Sequence, residues 1–159
     1  MRIKKLETKL TKLLDKAKVK YKTLSHKVVY TAHDTAQTTK KRLNEIAKVV
    51  LVKADSDFVL IVLPAGKYLD FSGIKKALKA KKVSIASEKD IIKHLKTKVG
   101  LLHPFGPAYN LKTLLDKSMS RAKSMVASAG TYTDSVEIAL KDFEKLVKPI
   151  KGVFAKNKK

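Results

Sequence analysis

Two apolar runs decide the fold of this 159-residue chain: Ile46-Ala-Lys-Val-Val-Leu-Val52 and Phe58-Val-Leu-Ile-Val-Leu63. Both runs are rich in β-branched residues, which favour strands. Between them lies Ala54-Asp-Ser-Asp57, whose short polar side chains are typical of a tight turn. The stretch therefore predicts a β-hairpin, which ends at Pro64-Ala-Gly66.

Shorter patterns around this hairpin alternate between helix and strand. Apolar residues at 3- and 4-residue steps over residues 2–17 predict an amphipathic helix, which we expect to pack on its own domain because its apolar face is narrow. Further helices are predicted from Thr31, over 71–80, from Ser87 to Leu95 and around Phe143, and further strands over 19–23, 82–86, 113–116, 124–129 and 135–139. This mixture predicts a single-domain α/β (mixed α+β) sheet fold.

The charge of the chain indicates a polyanionic partner. It has 36 Lys and Arg against 14 Asp and Glu, a formal net charge of +22. Such a surface attracts nucleic acid or anionic membrane, although a general lysine bias would also produce it. Only Arg2, Arg42 and Arg121 are arginines, the residue suited to bidentate base recognition, and no zinc finger, basic zipper or RNP motif is present. Sequence-specific DNA reading is therefore not expected.

Several classes of chemistry are excluded. The absence of cysteine rules out disulfides, thiolate catalysis and thiolate metal sites. His26, His33, His94 and His103 lack metal-ligand spacing, and no nucleophile elbow of a serine hydrolase is present. No apolar run approaches the roughly 20 residues that span a bilayer, and the N-terminus lacks a signal peptide. We expect a cytoplasmic protein without metal, cofactor or membrane association.

Two local features suggest a binding site. Residues 100–107, Gly-Leu-Leu-His-Pro-Phe-Gly-Pro, hold four of the ten Gly and Pro residues of the chain. Such a segment is either an ordinary surface loop or a rigid, apolar wall of a pocket. Lys48 interrupts the first apolar run, where it either extends its charge to solvent or presents it to a bound anion.

Together, these features resemble the YbaK/prolyl-tRNA-synthetase-associated domain family of aminoacyl-tRNA editing domains. The resemblance covers about residues 19–147 and lies in the order of its motifs: Ile46–Lys53, Phe58–Ala65, Leu69-Asp70, Lys81–Ser87, Gly100-Leu-Leu-His-Pro104 and Ser128-Ala-Gly130. It implies a free-standing editing domain with a mixed, mostly antiparallel, curved sheet flanked by helices. The expected boundaries are an N-terminal helix over 1–18, the editing domain over 19–150 and a basic, frayed tail over 151–159.

The resemblance also implies an activity. This family hydrolyses the ester of mischarged tRNA, so the chain would be a trans-acting deacylase for a small amino acid such as Ala, Cys or a Pro-like residue, with tRNA-Pro a candidate. Lys48 matches the essential lysine that positions the terminal nucleotide, and Gly100 and Pro104 match the GxxxP loop that holds the aminoacyl end and water. The residues expected to bind substrate are His26, Tyr30, Leu101, Leu102, His103, Ser128 and Gly130. Val49, where many members have Thr or Ser, bears on which amino acid is removed.

The expected partner is the acceptor end of aminoacyl-tRNA, with a synthetase as a further candidate. His103 could act as a general base, but its position varies in the family, so we expect a solvent-facing loop histidine. Two alternatives stay open at this stage. One is a non-catalytic tRNA- or synthetase-binding module on the same fold, and the other is an unrelated basic protein associated with DNA or membrane.

Overall fold

The computed structural model describes residues 8–98 and 101–157. Within them the strands are β1 (Tyr21–Ser25), β2 (Ala47–Ala54), β3 (Asp57–Pro64), β4 (Lys67–Leu69), β5 (Val83–Ile85), β6 (Lys112–Asp116), β7 (Ser124–Ser128), β8 (Asp134–Ala139), β9 (Ile150–Gly152) and β10 (Ala155–Asn157). The helices are α1 (Thr8–Ala17), α2 (Ala32–Thr39), α3 (Phe71–Leu78), α4 (Glu88–Leu95), α5 (Gly106–Tyr109) and α6 (Leu140–Val147). Two 3₁₀ turns cover Leu43–Glu45 and Lys117–Arg121.

The strands form three hydrogen-bonded sheets. The largest has the order β5-β2-β3-β6-β9, with antiparallel pairs on the β5 side and parallel pairs on the β9 side. A second sheet, β1-β8-β7, is antiparallel, and β10 pairs with β4. The prediction of a mixed α/β fold with mostly antiparallel strands is confirmed, with the strands divided among three sheets.

The predicted hairpin forms the centre of the largest sheet. β2 and β3 pair in register from Ala54 opposite Asp57 to Ala47 opposite Pro64. β3 lies between β2 and β6, and its residues from Val59 onward are buried. Burial on both faces accounts for an apolar run that does not alternate with polar residues.

The N-terminal helix packs on the main core, as predicted. Leu10 and Leu14 of α1 are fully buried against Phe105, Phe143 and neighbouring residues of the three-stranded sheet. Burying two leucines of one helix face contributes about 3–6 kcal/mol relative to their exposure. The predicted start of this helix before residue 8 lies outside the described residues.

The predicted helix starts at Thr31 and Ser87 are confirmed by their hydrogen bonds. Thr31 Oγ1 accepts a hydrogen bond from the N–H of Asp34 at 3.0 Å, and Ser87 Oγ accepts one from the N–H of Asp90 at 3.1 Å. Each side chain satisfies a backbone donor that the first helical turn leaves without a partner. The Thr31 cap fixes the entry into α2, which borders the candidate site, and the Ser87 cap fixes the entry into α4.

The C-terminal segment is ordered by pairing, and the prediction of a frayed tail is wrong for residues 151–157. β9 pairs with β6, β10 pairs with β4, and Phe154 between them is 1% exposed. Asp116 Oδ1 accepts hydrogen bonds from the N–H groups of Phe154 at 2.7 Å and Ala155 at 2.9 Å. The lysine-rich composition of this segment predicted fraying, but Phe154 within it is buried and anchors the segment to the core. Residues 158 and 159 lie outside the described part of the chain.

Candidate functional site

A cavity of about 260 Å³ lies where the two larger sheets approach each other beside α2. Most of its wall is apolar, and none of the lining residues that the structure describes is acidic. The wall is built from Val29, Tyr30, Thr31, Ala32, Thr35, Ile46, Ala47, Lys48, Val49, Val50, Leu51, Ile85, Ala86, Ile91, Leu102, Ala127, Ser128, Thr131 and Ser135. We call this space the main cavity.

The main cavity exists because β2 has an open section of edge. β3 pairs with all of β2, but β5 pairs only with the section from Val52 to Ala54. On the same side, Ile46 makes an isolated bridge to Val126 of β7. Between these two contacts, around Val49, no strand among the described residues covers this edge. A sheet edge within a cavity offers main-chain donors and acceptors to a ligand.

Lys48 lies on the open section of β2, at the wall of the main cavity. Its Nζ donates a hydrogen bond to the carbonyl of Lys67 at 3.2 Å. The same Nζ lies 5.9 Å from the ring centroid of Tyr68, within cation–π range. These contacts hold the cation at a fixed position beside an apolar space, where an anionic ligand group can approach it.

Tyr30 stands at the start of α2 and lines the same cavity. Its side chain is 63% exposed, and its ring centroid lies 5.0 Å from that of Tyr132. The backbone N–H of Tyr30 donates to Asp34 Oδ2, so the cap of α2 also fixes this residue. An exposed aromatic ring of this kind offers a stacking surface to a base.

The predicted GxxxP loop is divided between two cavities. Leu102 lines the main cavity, whereas Leu101, His103 and Gly130 line a neighbouring cavity of about 520 Å³. Pro104 is buried and lines neither cavity. The prediction for Gly100 lies outside the described residues.

His103 is completely buried, so the expectation of a solvent-facing loop histidine is wrong. Its ring stacks on Tyr109 with centroids 4.3 Å apart, and its Nδ1 accepts a hydrogen bond from the N–H of Phe105 at 3.2 Å. The Tyr109 hydroxyl accepts from the N–H of His103 at 3.2 Å. Because Nδ1 is an acceptor here, the neutral ring carries its proton on Nε2. Pattern analysis missed α5, which presents Tyr109, since this helix has only four residues.

Gly106 begins α5 and gives a test of how tightly this loop is packed. A Cβ at Gly106 would lie 1.9 Å from Thr113 Oγ1 and 2.5 Å from the carbonyl oxygen of Leu111. We therefore expect Gly106→Ala to lower the free energy of unfolding by about 1–3 kcal/mol in urea denaturation. Gly66→Ala is the control, because its Cβ would meet Leu43 at an ordinary 3.4 Å. Equal denaturation midpoints for both variants would show that the loop yields readily.

His26 lies behind the wall of the main cavity, in contact with Ser135. His26 Nε2 is 2.8 Å from Ser135 Oγ, and His26 Nδ1 is 2.8 Å from the carbonyl of Lys27. Ser135 lines the main cavity and was missed by the sequence analysis. Ser135 lies on β8 directly opposite Ser128, which was predicted, but only the register of the folded sheet shows this pairing.

An ion pair ties the segment after α2 to β8. Lys41 Nζ donates to Glu137 Oε2 at 3.1 Å, and Ser124 Oγ donates to the same oxygen at 3.1 Å. Burial raises the pKa of Glu137. The two hydrogen bonds and the charges of Lys41 and Lys22 lower it by more than burial raises it, so the pKa lies below its usual value. Glu137 is thus ionised near neutral pH, and its ion pair with Lys41 joins the segment after α2 to β8.

The described residues bring no three His, Asp or Glu side chains together as a metal site. None of the helices in the described ranges has the length and apolar character needed to cross a membrane. The side chains that can contact a ligand in the main cavity are therefore one lysine, hydroxyl groups and apolar residues.

Comparison with known proteins assigns the family. The model for the aminoacyl-tRNA editing domain matches residues 26–146. The chain is 23% identical over 141 residues to the prolyl-tRNA editing protein ProX of Acetoanaerobium sticklandii, covering 85% of this chain and 86% of that protein. It is 22% identical over 112 residues to the uncharacterized protein YwhH of Bacillus subtilis, covering 70% and 71% of the two chains.

Solved structures agree in fold. The crystal structure of a hypothetical protein superposes with a TM-score of 0.86 at 16% identity, covering 93% of this chain and 99% of that one. A candidate trans-editing enzyme for prolyl tRNA synthetase superposes with a TM-score of 0.80 at 16% identity, covering 94% and 96%. With most of its length matched by the family model, the chain belongs to the aminoacyl-tRNA editing domain family.

Proposed function

We propose that this protein is a trans-acting aminoacyl-tRNA deacylase that hydrolyses the ester of a mischarged tRNA. The observation that carries the proposal is Lys48, held at the wall of a small apolar cavity in a member of the editing family. The proposed substrate carries a small amino acid, such as Ala, Cys or a Pro-like residue. The likeness to a prolyl-tRNA editing protein supports tRNA-Pro as its carrier.

The main cavity supports a small acyl group. It encloses about 260 Å³, and Val49, Leu51 and Leu102 bound it with rigid apolar side chains. Selection would then act through size, where one methylene is worth about 1–3 kcal/mol. Val49, which follows the lysine directly, bears most directly on which amino acid fits.

The chemistry requires positioning more than a strong nucleophile. An aminoacyl ester is already activated, so a water molecule held beside its carbonyl carbon in a closed site suffices for hydrolysis. We assign Lys48 to the terminal nucleotide, where its charge stabilises an anionic group. We assign the backbone of the loop from Gly100 to Pro104 to the aminoacyl end and the water, with Leu101, His103 and Gly130 beside the terminal nucleotides.

The net charge of +22 supports docking of an acceptor stem through phosphate contacts. Each lysine that neutralises a phosphate releases a counterion, so tRNA affinity should fall steeply with salt. We expect a loss of at least about tenfold between roughly 50 and 200 mM salt, measured by filter binding or fluorescence anisotropy. An affinity that does not change over this range would contradict docking by lysine charge.

The direct test of the function is a panel of charged tRNAs incubated with the protein, with loss of the ester bond measured over time. We expect one or more small-amino-acid esters, alanyl-tRNA-Pro among them, to lose the amino acid faster than without protein. Binding of tRNA with no ester loss across the panel would favour the alternative, a non-catalytic tRNA- or synthetase-binding module. We further propose that the protein acts in the cytoplasm, where a synthetase supplies its substrate.

A further inference from the structure

Two serines face each other across the floor of the main cavity. Ser128 of β7 and Ser135 of β8 are direct partners in the antiparallel register, and both line the cavity. Ser135 is only 1% exposed to bulk solvent. Side chains of directly opposed residues lie about 5 Å apart, so one small ligand can contact both hydroxyls.

His26 fixes the direction in which the Ser135 hydroxyl points. The carbonyl of Lys27, 2.8 Å from His26 Nδ1, can only accept a hydrogen bond, so Nδ1 carries the proton of the neutral ring. His26 Nε2 is therefore an acceptor, and Ser135 Oγ donates its hydrogen to it at 2.8 Å. The remaining lone pairs of Ser135 Oγ make it a hydrogen-bond acceptor towards the cavity.

Ser128 has the opposite polarity. Its Oγ accepts a hydrogen bond from the N–H of Gly130 at 3.1 Å. The hydroxyl hydrogen of Ser128 is not used in that contact, so it can be donated to a ligand. The floor of the cavity thus places an acceptor, Ser135, beside a donor, Ser128.

We propose that this serine pair recognises the α-aminoacyl ester itself, an inference that rests on the proposed function. Ser135 accepts a hydrogen bond from the α-ammonium group, and Ser128 donates one to the ester carbonyl on the adjacent carbon. Because none of the described lining residues is acidic, no carboxylate is available for the ammonium, and the oriented Ser135 hydroxyl offers it a neutral acceptor. His26 is the positioning residue that keeps Ser135 an acceptor.

The probe for this contact is an α-hydroxyacyl-tRNA, which lacks the ammonium group. Nitrous acid produces it from an aminoacyl-tRNA by converting the α-amino group to a hydroxyl. We compare hydrolysis rates of alanyl-tRNA with those of the resulting α-hydroxyacyl-tRNA, which has nearly the same shape but no ammonium charge. The wild-type protein should prefer the aminoacyl ester by about tenfold, since hydrogen bonds to charged groups are stronger than neutral ones. Ser135→Ala should reduce this preference to about twofold or less.

Three further variants separate recognition from structural damage. His26→Phe removes the acceptor for the Ser135 hydroxyl and should lower the preference as Ser135→Ala does. His26→Gln, whose amide oxygen can accept the same hydrogen bond, should restore much of it. Ser84→Ala on β5 is the control, because Ser84 is exposed and outside the cavity wall. Its preference should match that of the wild-type protein.

The outcomes distinguish this inference from the proposed function. Hydrolysis by Ser135→Ala with an unchanged preference would overturn the inference and leave the deacylase proposal standing. An acyl group trapped covalently on Ser135 would also overturn it, because Ser135 would then be a nucleophile. A wild-type protein that hydrolyses neither ester on any tRNA would contradict the proposed function and the inference together.

Discussion

Replacing Lys48 with alanine is expected to lower the rate of aminoacyl-tRNA hydrolysis by about 100-fold or more while the fold stays intact. Lys48 Nζ is held at the wall of the main cavity by the carbonyl of Lys67 at 3.2 Å. Removing one preoriented electrostatic group from a closed site costs about 10²–10³ in rate. The measurement is the single-turnover rate of ester loss, with urea denaturation as the check on folding.

Lys53→Ala is the matched control for this variant. Lys53 lies on the same strand, is exposed and is not part of the cavity wall. Replacing it with alanine changes the net charge by the same amount as replacing Lys48. We expect Lys53→Ala to keep the hydrolysis rate within about threefold of the wild-type rate, as surface charges at a distance are screened by salt. Similar hydrolysis rates for the Lys48 and Lys53 variants would show that Lys48 has no specific role in hydrolysis.

Replacing Asp116 with alanine is expected to lower the free energy of unfolding by about 3 kcal/mol. Asp116 is buried, and its Oδ1 accepts hydrogen bonds from the N–H groups of Phe154 and Ala155. Its other oxygen accepts from the N–H and the hydroxyl of Ser118. Without the carboxylate, two buried N–H groups lose their acceptor, and each such loss costs about 1–3 kcal/mol. Urea denaturation measures the difference.

The Asp116→Asn variant distinguishes the contribution of Oδ1, which binds Phe154 and Ala155, from that of Oδ2, which binds Ser118. Its amide oxygen can still accept from Phe154 and Ala155, while its NH₂ group faces the donors of Ser118, so we expect a smaller loss than with alanine. In Asp116→Ala, the N–H groups of Phe154 and Ala155 should exchange hydrogen much faster. Unchanged exchange would show that β-pairing alone orders the C-terminal segment.

The parts of the fold that sequence predicts well are those whose signals are local. Both apolar runs of the hairpin and the turn between them lie within 18 residues, 46–63. The caps at Thr31 and Ser87 need only a residue three positions away. The C-terminal strands gave no such local signal. Phe154 lies in a lysine-rich stretch of sequence, and Asp116, which accepts the hydrogen bond of its N–H, lies 38 positions earlier.

The candidate site also has residues with a local sequence signal and residues whose role depends on distant parts of the chain. Lys48 stood out because a lysine within an apolar strand has a desolvation cost, and it lines the main cavity together with Tyr30, Leu102 and Ser128. Ser135 did not stand out, because a serine on a strand has no distinctive pattern. Its orientation depends on His26, 109 positions earlier in the chain, which only the folded structure brings within 2.8 Å.

We propose that the protein turns over an aminoacyl ester rather than merely binding tRNA. The most direct measurement is release of free alanine from alanyl-tRNA-Pro, and from the other charged tRNAs of the panel, with protein far below tRNA in concentration. For at least one of these tRNAs, we expect the amount of amino acid released to exceed the amount of protein many times over. Saturable tRNA binding with every ester as long-lived as in buffer alone would contradict it.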